Sequence, residues 1–311
     1  MAEFFSVPED VSDKQQLGGV AYLRGINIAT AKNGSKYAAG VLATKEGEYP
    51  FKKWSTDSLE AGVYELAGSW NVYNGSGSVI INTAVPVKEG EGFSKQDFLQ
   101  SRYNPKGLLR DFQILVKNNV SEKGRKLFNM LLAGRGSRDQ EFVKRFCNEF
   151  AARTHHDAVL GGLIAHSYKT TEFLVAVINS PIRVFHDMPQ DFKDLVIVGG
   201  ALHDLGKVYE YKLGEMSDMG KFVSHRTFAV MRATELKDDI IALYGEEGFI
   251  KLVSIFSQHH GEYEETPRTV EALLVHYADN FEAQVTTLDE GVQKLQQGDD
   301  SVRAGDVRVS M

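Results

Sequence analysis

Cysteine is almost absent from this 311-residue chain, since Cys147 is its only one. A single cysteine excludes an internal disulfide framework, and it excludes any zinc site built from several thiolates. A metal site in this chain would have to be built from histidine and carboxylate side chains. The scarcity of cysteine also fits a reducing compartment, so we expect a cytoplasmic protein.

Long apolar runs are missing as well. No stretch approaches the roughly 18 apolar residues that a membrane-spanning helix needs. The first ten residues, MAEFFSVPED, carry acidic side chains where a signal peptide carries basic ones. We therefore expect no membrane partner and no secretion.

An excess of positive charge is missing too, because the formal net charge is -7. This value argues against a protein that simply coats DNA or RNA. The charge is unevenly distributed, however: residues 96–155 carry 12 Lys and Arg against 6 Asp and Glu, whereas residues 156–311 carry 14 against 25. A basic segment beside an acidic domain suits a protein that attracts phosphates and reserves its carboxylates for cations. An ordinary solvated helix surface explains the basic segment equally well.

The first 90 residues read as a small β-barrel. Between Leu17 and Val87, short β-rich runs alternate with turn signals, a pattern typical of a compact antiparallel barrel. The predicted strands are 19–29, 37–45, 49–54, 62–73 and 78–85, with hairpin turns at 32–34, 46–47 and 74–75. Five strands, with an interruption at 55–59, resemble an OB-fold.

The resemblance to an OB-fold implies a nucleic-acid-binding face on strands two and three. Such faces stack bases of single-stranded nucleic acid on aromatic side chains beside basic ones. The candidates are Tyr37, Phe51 and Trp54, with Lys52 and Lys53 next to the tryptophan. For any one of these aromatic residues, packing in the core or at the rim of the barrel is the more common role.

From Lys95 onward, apolar residues recur at spacings of three and four, which predicts helices. The predicted helices are 94–103, 105–117, 121–132, 140–152, 157–179, 190–202, 224–236, 246–259 and 268–296. We therefore predict an α+β multi-domain protein. Its parts are a barrel domain at 1–90, a basic helical connector at 91–155, an all-α domain at 156–296 and a polar, frayed tail at 297–311.

The strongest chemical signal is the octet GALHDLGK at residues 200–207. A helix that ends in His203-Asp204 places two different metal ligands at its tip. Gly206 allows the chain to turn, and Lys207 returns a cation toward the site. The other His-Asp pair, His186-Asp187, has no comparable context.

With these residues the sequence resembles the HD phosphohydrolase superfamily, whose pattern is a His, then His-Asp, then a distant Asp around one metal centre. The matching residues are His166, His203, Asp204 and Asp279. The resemblance implies an all-α HD domain after the OB-fold barrel, with these four side chains as metal ligands. For a lone histidine a structural role is the commoner one, but the combination favours a metal site.

Three further histidines suggest a second metal: His225, which opens a predicted helix, and His259-His260, which close another. The resemblance implies that Asp204 bridges two cations, one held by His166, His203 and Asp279 and the other by His225, His259 and His260. Imidazole and carboxylate ligands suit several divalent metals. We expect two ions, with Mn favoured and Fe, Co, Ni, Zn or Mg as alternatives. His276 lies three residues before Asp279 and is predicted to orient a ligand.

The layout of nearly the whole chain is similar to that of YhaM-type 3'-to-5' exoribonucleases, which join an OB-fold to an HD domain through a helical segment. Local matches lie at residues 33–37, 51–54, 155–163 and 269–272. The loop at 261–265 lacks the Gly-Tyr-Pro signature of HD enzymes that act on cyclic dinucleotides. The resemblance implies a metal-dependent 3'-to-5' exonuclease that releases 5'-monophosphates from single-stranded RNA or DNA, with Asp204 as the shared ligand and Lys207 neutralising phosphate charge.

Two alternatives stay open at this point. The first is an HD phosphohydrolase of free or cyclic nucleotides, whose barrel serves oligomerisation or regulation, and a homo-oligomer is compatible with either enzyme. The second is a non-catalytic protein that binds single-stranded nucleic acid and holds a structural metal. The second does not account for Lys207 beside a full ligand set, which a structural site does not need.

Overall fold

The structure is a computed structural model that describes residues 3–31, 33–54, 59–73, 75–88, 92–99, 101, 103–135, 139–153, 157–261, 265–293, 301–304 and 307–310. The chain forms two compact units, Met1–Gln100 and Ser101–Met311. The residues 55–58 of the predicted strand interruption and 262–264 of the loop after His260 lie outside the described residues.

The first unit is a closed barrel of five strands: β1 (Gln16–Thr30), β2 (Lys36–Ala43), β3 (Glu48–Lys53), β4 (Gly62–Tyr73) and β5 (Ser76–Pro86). The order around the barrel is β1-β2-β3-β5-β4, and the parallel pairing of β3 with β5 closes it. The predicted five-stranded barrel is confirmed, with strand ends shifted by three residues at most.

Strand β1 is long enough to pair with two neighbours because it bends. Residues 16–23 pair with β4 and residues 22–30 pair with β2, with a register shift between Arg24 and Asn27. Gly25 lies in this shift with a φ of 60°, a conformation that glycine adopts without a steric penalty. The bend lets apolar side chains such as Leu23, Leu42 and Val79 meet in the barrel core.

The second unit is mainly helical. Its helices are α1 (Pro105–Asn119), α2 (Glu122–Ala133), α3 (Gln140–Asn148), α4 (Gly162–Ile178), α5 (Gln190–Ala201), α6 (Lys207–Glu210), α7 (His225–Glu235), α8 (Lys237–Gln258) and α9 (Val270–Gln293). Single 3-10 turns lie at Lys95–Phe98 in the first unit and at Val184–Asp187 here. The predicted helix 94–103 is wrong beyond its first turn, since the described residues after Phe98 are not helical.

Two small hairpins were missed by the sequence analysis. Strands β6 (Tyr211–Lys212) and β7 (Glu215–Met216) join α6 to α7. Strands β8 (Ser301–Ala304) and β9 (Val307–Ser310) form a second antiparallel pair within the segment that was expected to be a frayed tail. Short strands of this kind carry too few alternating apolar residues to produce a clear sequence pattern.

The basic segment does not form a unit of its own. Apolar side chains of α1 to α3, such as Phe112, Leu127 and Phe146, lie in the same core as Leu195 and Ile255 of the later helices. The apolar faces of these three helices thus complete the core of the second unit. Among the described residues, no helix is long and apolar enough to cross a membrane.

A buried carboxylate fixes the position of α5, the helix that leads to His203-Asp204. Asp194 is fully buried and accepts hydrogen bonds from the Ser121 N–H at 2.9 Å, the Tyr244 hydroxyl at 2.9 Å and the Gln190 side chain at 2.8 Å. The Ser121 hydroxyl also donates to it. Because these donors lie on α5 itself, at the start of α2 and on α8, Asp194 ties three helices together.

Candidate metal centre

The seven predicted metal ligands converge in the second unit from five places in the chain. His166 lies on α4, His203 and Asp204 follow α5, His225 is the first residue of α7, His259 and His260 end α8, and Asp279 lies on α9. Their ligand atoms form two groups, and within each group these atoms lie within 4.8 Å of one another. One group contains His166, His203 and Asp279, and the other contains Asp204, His225, His259 and His260.

The two oxygens of Asp204 face different groups. Oδ2 lies 3.6 Å from His166 Nε2 and 3.4 Å from His203 Nε2. Oδ1 lies 3.4 Å from His225 Nε2 and 3.6 Å from His259 Nε2. A carboxylate between two sets of nitrogens has the geometry of a bridging ligand.

In four of these histidines the ring nitrogen Nδ1, which faces away from the two ligand groups, donates a hydrogen bond to a backbone carbonyl or a carboxylate. His203 Nδ1 donates to the Gly200 carbonyl at 2.7 Å, and His259 Nδ1 donates to the Phe256 carbonyl at 3.2 Å. His225 Nδ1 donates to Glu210 at 2.7 Å, and His166 Nδ1 donates to Glu282. A carbonyl or carboxylate can only accept, so the proton of each neutral ring lies on Nδ1 and the lone pair on Nε2 points into the centre.

Without a cation this arrangement is unfavourable. His166 Nε2 and His203 Nε2 lie 3.2 Å apart, and so do His225 Nε2 and His260 Nε2. Asp204 Oδ1 and His259 Nε2 are buried, and neither has a hydrogen-bond partner among the described residues. Converging lone pairs and buried atoms without partners are the features that divalent cations would satisfy, and nitrogen with carboxylate oxygen is a donor set that such cations accept.

The pKa values differ between the two groups. Burial alone lowers the pKa of His166, but its hydrogen bonds to Asp279 and Glu282 raise it to about 9. Burial likewise opposes protonation of His203, yet Asp204 and Asp279 raise its pKa to about 10. Burial and the neighbouring histidines instead lower the pKa of His259 to about 4 and that of His260 to about 3. The first group thus holds a proton at neutral pH in the absence of metal.

Sequence reasoning missed the carboxylates behind the ligands. Glu282 follows Asp279 by one helical turn, and Glu210 follows Lys207 by the same spacing. This spacing from a ligand or its neighbour is the one signal that could have identified them. The expected role of His276 agrees with the geometry, because its Nδ1 donates to the His259 carbonyl at 2.8 Å.

A lysine fills the space behind Glu282. Asp157, His166 and Glu282 form a third cluster of possible ligands, but Lys169 Nζ lies 2.7 Å from Asp157 and 2.9 Å from Glu282. Its ammonium group forms ion pairs with both carboxylates. The Tyr103 hydroxyl also donates to Asp157, at 2.5 Å. This cluster therefore supports the centre from outside.

Lys207 contacts Asp204, the predicted bridging ligand, directly, with Nζ 2.6 Å from Asp204 Oδ2. Burial opposes the charge on Asp204, but Lys207 and His203 hold its pKa well below the usual range. Asp204 is thus ionised at neutral pH, as a bridging ligand has to be.

The expected role of Gly206 is corrected by the structure. Its φ of -68° is open to any residue, so the turn does not require glycine. A Cβ at this position would lie 1.9 Å from the carbonyl oxygen of His225. Glycine is needed here because the start of α7 packs directly against it, which places His225 in the centre.

The predicted nucleic-acid contacts differ in their exposure to solvent: four of them are at least partly exposed and Phe51 is buried. Trp54 is half-exposed, and its ring lies beside that of Tyr37, with centroids 5.0 Å apart. Lys52 Nζ lies 5.7 Å from the Tyr37 ring centroid, and Lys53 is partly exposed. The assignment of Phe51 is wrong, because this ring is 1% exposed in the barrel core and cannot stack on a base.

Several cations of the basic segment already have partners within the second unit. Lys123 pairs with Asp191, and Arg135 pairs with Asp239. Arg145 donates to the Val208 carbonyl. These contacts favour a structural role for much of this charge. His186 belongs to neither ligand group, and His155 and His156 lie outside the described residues.

The first prediction concerns Glu282. We expect Glu282→Gln to weaken metal binding by about 10- to 100-fold, because an amide holds the His166 tautomer less firmly than a carboxylate. Competition with a fluorescent chelator measures this affinity. Glu172→Gln, which changes an exposed carboxylate on α4, is the matched control. Equal affinities in the two variants would mean that Glu282 does not orient His166.

The second prediction concerns pH. His166 Nε2 and His203 Nε2 are close enough to share one proton, which a metal must displace. The affinity of the first ligand group for a divalent metal should therefore rise about tenfold per pH unit between about pH 6.5 and 8.5. His259 and His260 are already neutral in this range, so binding there should not compete with protons. Calorimetric titration with Mn²⁺ in buffers of different ionisation enthalpy counts the released protons. Replacement of both His166 and His203 by Ala should abolish the release, because each ring keeps a raised pKa without the other, and His260→Ala should not abolish it. The opposite pattern would contradict the assignment.

Comparison with known proteins agrees with this geometry. The family model described as the HD domain matches residues 163–284, a range that contains all seven predicted ligands. A protein of Geobacillus sp. (strain WCH70) named 3'-5' exoribonuclease YhaM is 24% identical over 304 residues, which cover 92% of this chain and 87% of the relative. The protein of that name from Bacillus subtilis (strain 168) is 25% identical, over 86% of this chain and 85% of the relative. The one from Listeria monocytogenes serotype 4b (strain CLIP80459) is 26% identical, over 88% of this chain and 87% of the relative. The chain therefore carries an HD domain that follows the barrel in the sequence, and along most of its length it is similar to the YhaM proteins.

Proposed function

We propose that this protein is a metal-dependent 3'-to-5' exoribonuclease that releases 5'-monophosphates from single-stranded RNA. The observation that carries the proposal is the convergence of imidazole lone pairs on both oxygens of Asp204. The HD domain and the similarity to proteins named 3'-5' exoribonuclease YhaM support a metal-dependent exonuclease. Those relatives also support RNA over DNA as the substrate.

In this proposal His166, His203 and Asp279 hold one divalent cation, and His225, His259 and His260 hold another. Asp204 offers one oxygen to each group. A bound pair of divalent cations supplies Lewis-acid activation of water and neutralises charge on the phosphate. The mixed nitrogen and oxygen donors suit Mn, which we favour, as well as Fe, Co, Ni, Zn or Mg.

The chain's own residues set the charge balance of the site. Glu210 and Glu282 hold the rings of His225 and His166, so that Nε2 is available as a ligand. Lys207 keeps Asp204 ionised, and its ammonium group adds positive charge where a phosphate would lie. Burial of the ligands excludes bulk water, which strengthens each of these interactions.

The barrel would hold the strand. Tyr37 on β2 and Trp54, the residue that follows β3, present neighbouring rings, and Lys52 Nζ lies 5.7 Å from the Tyr37 ring centroid. Base stacking combined with phosphate contacts is the usual way in which OB-folds bind single strands. A cytoplasmic location, which would keep the buried Cys147 reduced, belongs to the same proposal.

The third prediction tests the shared ligand. We expect Asp204→Asn to reduce turnover of 5'-labelled RNA at least a thousandfold, which is ~4 kcal/mol of transition-state stabilisation, while RNA binding persists. Asp187→Asn changes the aspartate of the other His-Asp pair, which lies outside both ligand groups, and should keep full activity. Undiminished hydrolysis by Asp204→Asn would exclude this centre.

The same assay separates the competing substrates. Wild-type protein with Mn²⁺ is incubated with 5'-labelled RNA, the matching DNA, nucleoside triphosphates and cyclic dinucleotides. The proposal expects stepwise shortening of RNA from the 3' end. Cleavage of free or cyclic nucleotides alone would support a nucleotide phosphohydrolase instead, and no cleavage at all would favour a structural metal.

The fourth prediction tests the barrel. Trp54→Ala should raise KM for long RNA by about 5- to 150-fold, which corresponds to the ~1–3 kcal/mol of one lost stack, and should leave hydrolysis of a small chromogenic phosphodiester unchanged. Tyr73→Ala removes another exposed aromatic side chain of the barrel, on β4, and is the matched control. Equal losses on both substrates would mean that Trp54 only stabilises the fold.

A further inference from the structure

Helix α9 has two faces of different character. Its inner face carries Asp279, Glu282 and the buried His276 of the metal centre. Its outer face presents a line of apolar side chains, each between 37% and 57% exposed. This α9 stripe consists of Leu273, Tyr277, Phe281, Val285, Leu288 and Val292.

From Leu273 to Leu288, the exposed side of α9 carries no charge. In residues 270–288, all of which the structure describes, every exposed side chain is uncharged, and Gln284 is the one polar member. The first exposed charged residue is Asp289. A helix that faces only water normally presents charged and polar residues there, so a second apolar surface is the expected neighbour.

We propose that the α9 stripe is the contact surface between two copies of this chain. Its six side chains expose on the order of 500 Å². Together with flanking atoms, this area approaches the ~800 Å² that each partner contributes to a stable interface. An uncharged surface can meet a copy of itself without bringing like charges together, although residues 156–311 carry 14 basic against 25 acidic residues.

The chemistry of the stripe disfavours other occupants. Nucleic acid needs Lys or Arg beside the bases to meet its phosphates, and anionic membranes need them to meet their headgroups. The exposed residues from 270 to 288 include neither. A self-complementary apolar surface of this kind instead suits a two-fold symmetric contact, in which the same residues face each other.

The spacing also fits helix-to-helix packing. Leu273, Tyr277, Phe281 and Val285 follow one another every four residues and form a continuous ridge. Two ridges of this type interlock at a crossing angle of about -50°, the commonest class in globular proteins. The middle of the stripe, near Phe281, would lie at the crossing. The Phe281 ring is already ordered by Phe173 of α4, with ring centroids 4.7 Å apart.

The first experiment measures the oligomeric state by sedimentation equilibrium at protein concentrations from ~1 to ~100 µM, because the fraction of dimer depends on protein concentration. Wild type should be a dimer whose dissociation constant rises at least about 100-fold in Val285→Glu, because two buried carboxylates would face each other. Met231→Glu makes the same kind of change at a half-exposed apolar residue of α7 and should leave the constant within about threefold. A monomeric wild type, or a dimer that Val285→Glu leaves intact, would overturn the proposal.

The second experiment does not depend on a charged substitution that could impair folding. Cys147 is buried, and burial raises the pKa of its thiol to about 11, so an introduced surface cysteine is the one reactive thiol. Under mild oxidation Gln284→Cys, close to the expected two-fold axis, should form a disulfide-linked dimer. Glu141→Cys on α3, which is also exposed, should not. Equal cross-linking of the two variants, or none in Gln284→Cys, would refute the interface.

Discussion

The structure of the second unit depends on one electrostatic constraint: four buried imidazole rings, those of His166, His203, His225 and His259, point their Nε2 atoms at the buried carboxylate of Asp204. Each pair of facing nitrogens is 3.2 Å apart, a separation that is repulsive unless a proton or a cation lies between them. Hydrogen bonds from Nδ1, on the side of each ring away from Asp204, impose this geometry. Acceptors at Nδ1 leave the rings no alternative tautomer of similar energy, so the position of the backbone determines the position of the ligand atoms.

The remainder of the fold can be understood as support for that constraint. Asp194 fixes α5 against α2 and α8, and the close approach of α7 to Gly206 leaves no room for a Cβ. Lys169 forms ion pairs with both Glu282 and Asp157, which lowers the cost of burying these two further carboxylates beside the centre. A buried acidic group without such a partner would cost several kcal/mol. The acidic composition of this unit is therefore partly a consequence of building a cation site.

How much of this the sequence could predict depends on how distinctive each residue is. His203-Asp204 and the scattered histidines are rare side chains at recognisable spacings, so the ligands could be identified. Glu210 and Glu282 could not, because acidic residues are common on helices, and the Gly200 carbonyl has no sequence signature at all. The basic segment was predicted to be a connector because its charged residues lie on the outer faces of its helices. These charges do not indicate which hydrophobic core the inner faces of the helices join.

The error at Phe51 has a simple physical origin. Side chains on a strand alternate between its two faces, so Phe51 on β3 and Trp54, the residue that follows β3, are three residues apart and point to opposite sides. Parity along the strand groups Trp54 with Lys52 and leaves Phe51 for the core.

The order in which the ligands occur along the chain affects how the centre is made. They span residues 166 to 279, and Glu282 lies beyond the last of them. During synthesis, a nascent chain has no complete cation site until α9 has left the ribosome. Hydrolytic capacity would thus appear only after α9 has been made, when the barrel, which precedes the helical unit along the chain, has had time to fold.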